Sequence, residues 1–258
     1  MLACASAEAK SVRGKRLKAK GSDNLAVEAD ESVAEQINDP SSFLREIRAD
    51  AAAEHGAGPS HATVELTPTL ALPLSQRFRF EGGIPVLMNG PGDRNDIELG
   101  DIYGSVAYIF ASTDKANHLV DLRVDFPTGD DLKDAGQGVA QWHLALGSVF
   151  YAFKDRGWLM IPKPECRRSM FEGNGAPRIG TLLGNLGLVY LWSEDGYARG
   201  ELTVSFDERD GWRDAGLVSL EIGHVFMDRY SVALGYEIDA WGHAEFRNAA
   251  TFSAGHLF

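Results

Sequence analysis

Val120-Asp121-Leu122-Arg123-Val124-Asp125-Phe126 alternates apolar and charged side chains without a break. A period of two gives a β-strand two unlike faces, one apolar and one carrying Asp121, Arg123 and Asp125. The same rhythm runs through Val64, Leu66, Leu70, Leu72 and Leu74, and through Phe78, Phe80, Ile84, Val86 and Met88. It returns in Leu202, Val204 and Phe206, in Val218, Leu220 and Ile222, and in Val232, Leu234, Tyr236 and Ile238. A slip of one residue would exchange the faces, so this pattern sets the register.

Continued along the chain, the alternation predicts twelve strands over residues 43–54, 62–74, 77–88, 97–112, 118–128, 139–154, 158–170, 178–193, 197–207, 217–227, 230–241 and 246–258. Pro162 and Pro164 weaken the seventh, because internal prolines disfavour a paired strand. Most spans exceed the roughly nine to eleven residues that a tilted strand needs to cross a bilayer. The connections alternate between short and long: Ser75-Gln76 and Asp228-Arg229 on one side, 89–96, 130–138, 166–177 and 208–216 on the other. Tight turns at one end, long loops at the other and an even strand number are the pattern of a barrel that crosses an outer membrane. The expected fold is therefore all-β, a twelve-stranded antiparallel transmembrane β-barrel over residues 43–258.

Composition agrees. Of 258 residues 44% are apolar and 28 are glycine, which suits half-apolar strands with many turns. The longest apolar run, Ile179 to Trp192, is too short for a spanning helix and contains Asn185. A net charge of −12 argues against nucleic acid as a partner and against electrostatic docking on anionic lipid. Cys4 and Cys166 match no metal-ligand spacing. Residues 1–7 read as the remnant of a secretory signal ending in Ala5-Ser6-Ala7, with the true start upstream. A lipidated Cys4 and a featureless alanine-rich start are the alternatives. Residues 8–42 pass from a basic to an acidic stretch without apolar periodicity, so they read as a flexible periplasmic segment or as a plug.

A charge facing lipid at the bilayer midplane costs on the order of 2–4 kcal/mol for Arg or Lys. The charged parity therefore predicts a lumen lined by Arg48, Asp50, Arg77, Arg79, Glu81, Asp101, Asp121, Arg123, Asp125, Arg199, Glu201, Glu221, Glu237 and Asp239, with Glu46 and Asp207 on the same faces. Acids outnumber bases, which predicts a mild preference for cations. Aromatic residues such as Phe80, Phe110, Phe126, Tyr190, Trp192, Phe226 and Trp241 fall near strand ends, as interfacial girdles do. The terminal Phe258 resembles the signal by which barrel assembly machinery recognises its clients.

Asp39-Pro40, Pro91-Gly92-Asp93, Leu99-Gly100-Asp101-Ile102 and Asp125-Phe126-Pro127-Thr128-Gly129 together resemble an outer-membrane family associated with meta-pathway phenol degradation. The specific motifs lie between about residues 91 and 138; further on, only the strand rhythm and Phe258 match. The resemblance implies a twelve-stranded passive channel for small molecules and carries over no substrate residue.

Catalytic chemistry has little support. His224 lies on the lipid parity and His143 on the lumen parity, and the chain contains no G-x-S-x-G elbow. Asn89-Gly90-Pro91-Gly92-Asp93 lacks the Gly-Lys-Ser/Thr of a phosphate loop. The acids at 93–98 and 130–134 match no EF-hand, and Cys166 beside Arg167 and Arg168 reads as a bystander thiol. No cofactor or metal is expected. The sequence reads as an outer-membrane passive diffusion channel for small polar or amphipathic solutes, including aromatic ones. The alternatives are a sealed barrel acting as adhesin or structural anchor, and a barrel-embedded lipid hydrolase.

Overall fold

In a backbone that crosses hydrocarbon, each N–H and C=O needs an internal partner, and a strand obtains one on both edges only if the sheet closes. The computed structural model meets that condition. It describes residues 44–55, 62–89, 97–129, 139–151, 157–170, 180–207, 213–242 and 248–258; the readings of residues 1–43, of Asp93 and of Asp130 to Asp134 lie outside these. The strands are β1 (Glu46–His55), β2 (Ala62–Ser75), β3 (Phe78–Gly83), β4 (Val86–Asn89), β5 (Ile97–Leu99), β6 (Ile102–Ser112) and β7 (Ala116–Phe126). They continue with β8 (Gln141–Phe150), β9 (Trp158–Ser169), β10 (Gly180–Leu191), β11 (Gly196–Asp207), β12 (Arg213–Phe226), β13 (Tyr230–Trp241) and β14 (Asn248–Leu257). Neighbours in sequence pair antiparallel, and β1 pairs with both β2 and β14, so the sheet closes on itself.

Fourteen segments make twelve staves, because β3 with β4 forms one stave and β5 with β6 another. Ile84-Pro85 interrupts the first and Gly100-Asp101 the second, and Gly100 N donates to Pro85 O at 2.8 Å across the two breaks. The register changes there: Gly83 faces Tyr103 while Val86 faces Leu99, so the second stave carries one extra residue. Such a bulge exchanges the faces. Glu98 is accordingly buried between the exposed Ile97 and Leu99, whereas Tyr103 and Ser105 are the buried residues below. The remaining strands lie within a few residues of their predicted spans, except that β12 begins at Arg213, inside the stretch read as a loop.

The outer wall is apolar. Leu66, Leu70, Leu122, Leu146, Leu186, Leu220, Ile222 and Leu234 are all exposed, and Phe110, Phe126, Tyr190, Trp192, Phe206, Phe226 and Trp241 are exposed near strand ends. A belt this continuous exceeds what a surface in water carries and suits a hydrocarbon surround with an aromatic girdle at each interface. The hairpin between β12 and β13 closes with Arg229 N donating to Phe226 O at 3.1 Å. Met227 and Asp228 both sit at φ 55°, as a type I′ turn demands at its two central positions.

Leu220 is 63% exposed in the middle of β12. Leu220→Arg is expected to lower stability by about 2–4 kcal/mol, measured by reversible denaturant unfolding in lipid vesicles.

Candidate functional site: the barrel interior

The inward positions form two zones. At the short-turn end, Ile109, Leu119, Val149, Leu159, Ile161, Val189, Tyr197, Val225 and Ala233 make one buried apolar cluster, with Tyr151 and Leu191 packed against it. Val149 and Val189 are fully buried. These residues come from β6 to β13, eight of the twelve staves, so the cluster fills that side of the barrel end. No member comes from β1 to β3, and there the space remains open.

The second zone is a cavity of about 780 Å³. Leu44, Glu46, Arg48 and Arg79 line it at the short-turn end, and Arg167, Ser205, Leu217, Asp239 and Asn248 at the loop end. It thus runs the height of the barrel, pressed against β1 to β3 at the bottom. Of the residues predicted to line the lumen, Arg48, Arg79, Glu81, Asp121, Arg123, Arg199, Glu201, Glu237 and Asp239 line this cavity. Asp50 and Glu221, with Glu237 again, line a smaller one of about 230 Å³ beside it that contains Glu65 and no Lys or Arg.

Three expected lumen residues lie elsewhere. Arg77 occupies the exposed tight turn between β2 and β3, where the alternation ends. Asp101 sits in the break between β5 and β6, and its Oδ1 accepts a hydrogen bond from Gly129 N at 3.0 Å. Asp125 points inward but is buried behind Arg123 and His143 rather than on the cavity surface.

The charges are arranged along the staves. Arg48 Nε donates to Asp50 at 2.7 Å, Arg123 Nε to Asp125 at 2.7 Å, Arg167 Nε to Glu165 at 2.6 Å and Arg199 to Glu201 at 2.6 Å, and Arg79 lies 3.5 Å from Glu81. In every case the partners are two residues apart on one strand, hence side by side on one face. These pairs lie flat along the wall instead of reaching across the bore. Being partly solvated, each contributes little net stability; their effect is to leave the bore free while neutralising most of the charge. Eight carboxylates against six Lys and Arg line the main cavity among the described residues, and the smaller cavity adds only acids.

On β7 to β9 the pairs join into a chain. His143 Nε2 lies 2.6 Å from Asp125 and Nδ1 lies 3.2 Å from Glu165, so Arg123, Asp125, His143, Glu165 and Arg167 form one connected row. Tyr103 caps it: the Arg123 guanidinium stacks 3.8 Å from the ring centroid, and the hydroxyl meets Thr69 Oγ1 at 3.0 Å. The ring lies where a Cβ of Gly83 would be, and Tyr197 occupies the equivalent place over Gly223. Glycine is required at both positions for that close approach.

Sequence reasoning missed Glu54, Tyr103, Lys163, Glu165, Arg167 and Asn185 on the cavity wall. For Lys163, Glu165 and Arg167 the signal was present, since they stand two apart like Asp121, Arg123 and Asp125, but Pro162 and Pro164 weakened the strand and Arg167 fell in the stretch read as a loop. His224, flagged on the lipid parity, packs edge-on to Phe226 at 4.6 Å among the girdle rings. His118 is a second outward histidine, with Nδ1 2.8 Å from Ser148 Oγ and Phe110 and Phe150 beside it.

This fold and interior define a transmembrane β-barrel with a polar, axial cavity. No family model matches the chain, and no curated protein matches it in sequence. Solved structures do match in fold. An outer-membrane channel from Pseudomonas putida F1 superposes with a TM-score of 0.65 at 10% identity, covering 85% of this chain and 99% of its own. The NanC porin gives 0.61 at 8% identity, over 81% of this chain and 100% of its own. The KdgM porin gives 0.55 at 9% identity, over 82% of this chain and 99% of its own.

Leu159 is a buried member of the apolar cluster. Leu159→Ala is expected to cost about 2–5 kcal/mol in unfolding free energy and, by thinning the cluster, to raise single-channel conductance in planar bilayers.

Proposed function

We propose that this protein is an outer-membrane passive diffusion channel for small polar or amphipathic solutes. The observation that carries the reading is the cavity of about 780 Å³ that spans the barrel between wall-flat ion pairs. Twelve strands by themselves leave filling or opening undecided; here Arg48, Arg123, Arg167 and Arg199 pair along their own staves, which favours an open bore. The fold likeness to outer-membrane channels supports the same reading, as does the resemblance of the 91–138 motifs to a family linked with phenol degradation, which adds aromatic compounds to the solutes to be tested. Transport follows the concentration gradient, and the excess of carboxylates favours cations. In this reading the partners are outer-membrane lipids, the assembly machinery that reads Phe258, and the solutes themselves.

The apolar cluster favours one second reading, a barrel shut at its short-turn end. Conductance separates the two. Refolded protein in a planar bilayer under a salt gradient is expected to give stable openings with a cation-biased reversal potential. Replacing Glu221 and Glu237 together by Gln is expected to move that potential toward zero. Silence from a folded, heat-modifiable barrel would overturn the open channel and select the shut one.

A further inference from the structure

The register places two rows of charge on opposite walls of the main cavity. Arg123 on β7 stands opposite His143 on β8, and His143 opposite Arg167 on β9, so the three form one line across adjacent staves. Glu237 on β13 and Glu54 on β1 both stand opposite Ala249 on β14, which makes a second line. The middle staves, β8 and β14, are six apart (β9 to β14) in the ring of twelve, so the two lines face each other across the bore. Every member of both lines the cavity. They share a height as well: His143 lies two residues below the loop end of β8 at Gln141, and Ala249 one below the loop end of β14 at Asn248.

The first line presents cations. The Arg123 and Arg167 side chains are 40% and 39% exposed, while the carboxylates they hold, Asp125 and Glu165, are 12% and 8% exposed. The guanidinium groups therefore stand between the bore and their own counter-ions, which His143 bridges. Lys163, on the same face of β9, adds a cation with no ion pair among the described residues. The second line presents carboxylates alone. Neither Glu54 nor Glu237 makes a hydrogen bond or ion pair with a described residue, and the charges acting on Glu237 are those of Glu54, Glu201 and Glu221. Neither β13 nor β14 contains a Lys or Arg, and Arg48, six residues lower on β1, is paired with Asp50.

Unlike charges on facing low-dielectric walls set up a field across the water between them, here transverse to the barrel axis. An ion of one sign is drawn to one wall, and an uncharged molecule feels little. A solute with an ammonium at one end and a carboxylate at the other is stabilised at both ends when it lies across the bore. We propose that the loop-side part of the cavity selects zwitterionic solutes of the amino-acid class, with the ammonium toward Glu54 and Glu237 and the carboxylate toward Arg123 and Arg167. Both lines are partly solvated, so each contact is weak and the solute is released onward. The inference rests on the cavity being a solute route, as proposed above, and names a solute class for it.

Alanine and lactamide are isomers of like size, the first zwitterionic and the second uncharged. Proteoliposomes loaded with both, each isotope-labelled, give the two efflux rates in one preparation, corrected with protein-free vesicles. In a featureless pore the stronger hydration of the zwitterion makes it the slower of the two. The wild-type protein at low ionic strength is expected to release alanine roughly fivefold faster than lactamide, the scale of two screened charge contacts. Near 1 M salt, where the screening length shrinks to about 3 Å, the ratio is expected to fall to about one or below. Glu54→Gln with Glu237→Gln, which breaks no bond to a described residue, is expected to abolish the preference at low salt. A wild-type ratio at or below one at low salt overturns the selection of zwitterions and leaves the channel standing. A preference that survives high salt, or the double variant, overturns it equally. Efflux of neither isomer overturns the channel itself, and the inference with it.

Discussion

The structure depends on backbone hydrogen bonding in a solvent that cannot share it. A strand in hydrocarbon must find partners on both edges, and the pairing of β1 with β14 supplies the last of them. Once the ring is closed, alternation gives each strand one face for lipid and one for the interior, and the side chains follow. Leu122 goes out where Asp121 and Arg123 go in, on one strand, for no reason except the pleat.

That regularity is why the fold was legible in sequence. Strand count and face assignment follow from a period of two, and they survive errors of a few residues at strand ends. What the period could not reveal are the places where the backbone departs from it. The extra residue near Gly100-Asp101 exchanges inside and outside for Glu98, and in a sequence it is indistinguishable from continued alternation. Ile84-Pro85 likewise breaks a stave whose apolar rhythm runs on without a gap. The extension of β12 to Arg213 carries too few apolar residues to declare a strand.

The apolar cluster was hidden for a different reason. Alternation shows a strand only when its faces differ, and at the short-turn ends they do not. Phe110 and Phe150 point out while Ile109 and Val149 point in, so both parities are apolar and the sequence reads as a uniform hydrophobic end. The in-strand ion pairs lie at the opposite extreme. Opposite charges two apart are visible in the one-letter sequence, and the pleat alone makes them neighbours; only their placement along the cavity wall needed three dimensions.

These features together explain why the interior is asymmetric. A barrel of twelve staves encloses more volume than its inward side chains fill if charged residues pair along the wall. Filling all of it with apolar groups would leave no passage, and filling none of it would leave a wide hole at the membrane. Here apolar side chains on β6 to β13 fill one side of the lower end, and Glu46, Arg48 and Arg79 keep the other side wet. A solute therefore meets an aqueous route along β1 to β3 and an apolar floor along β7 to β10.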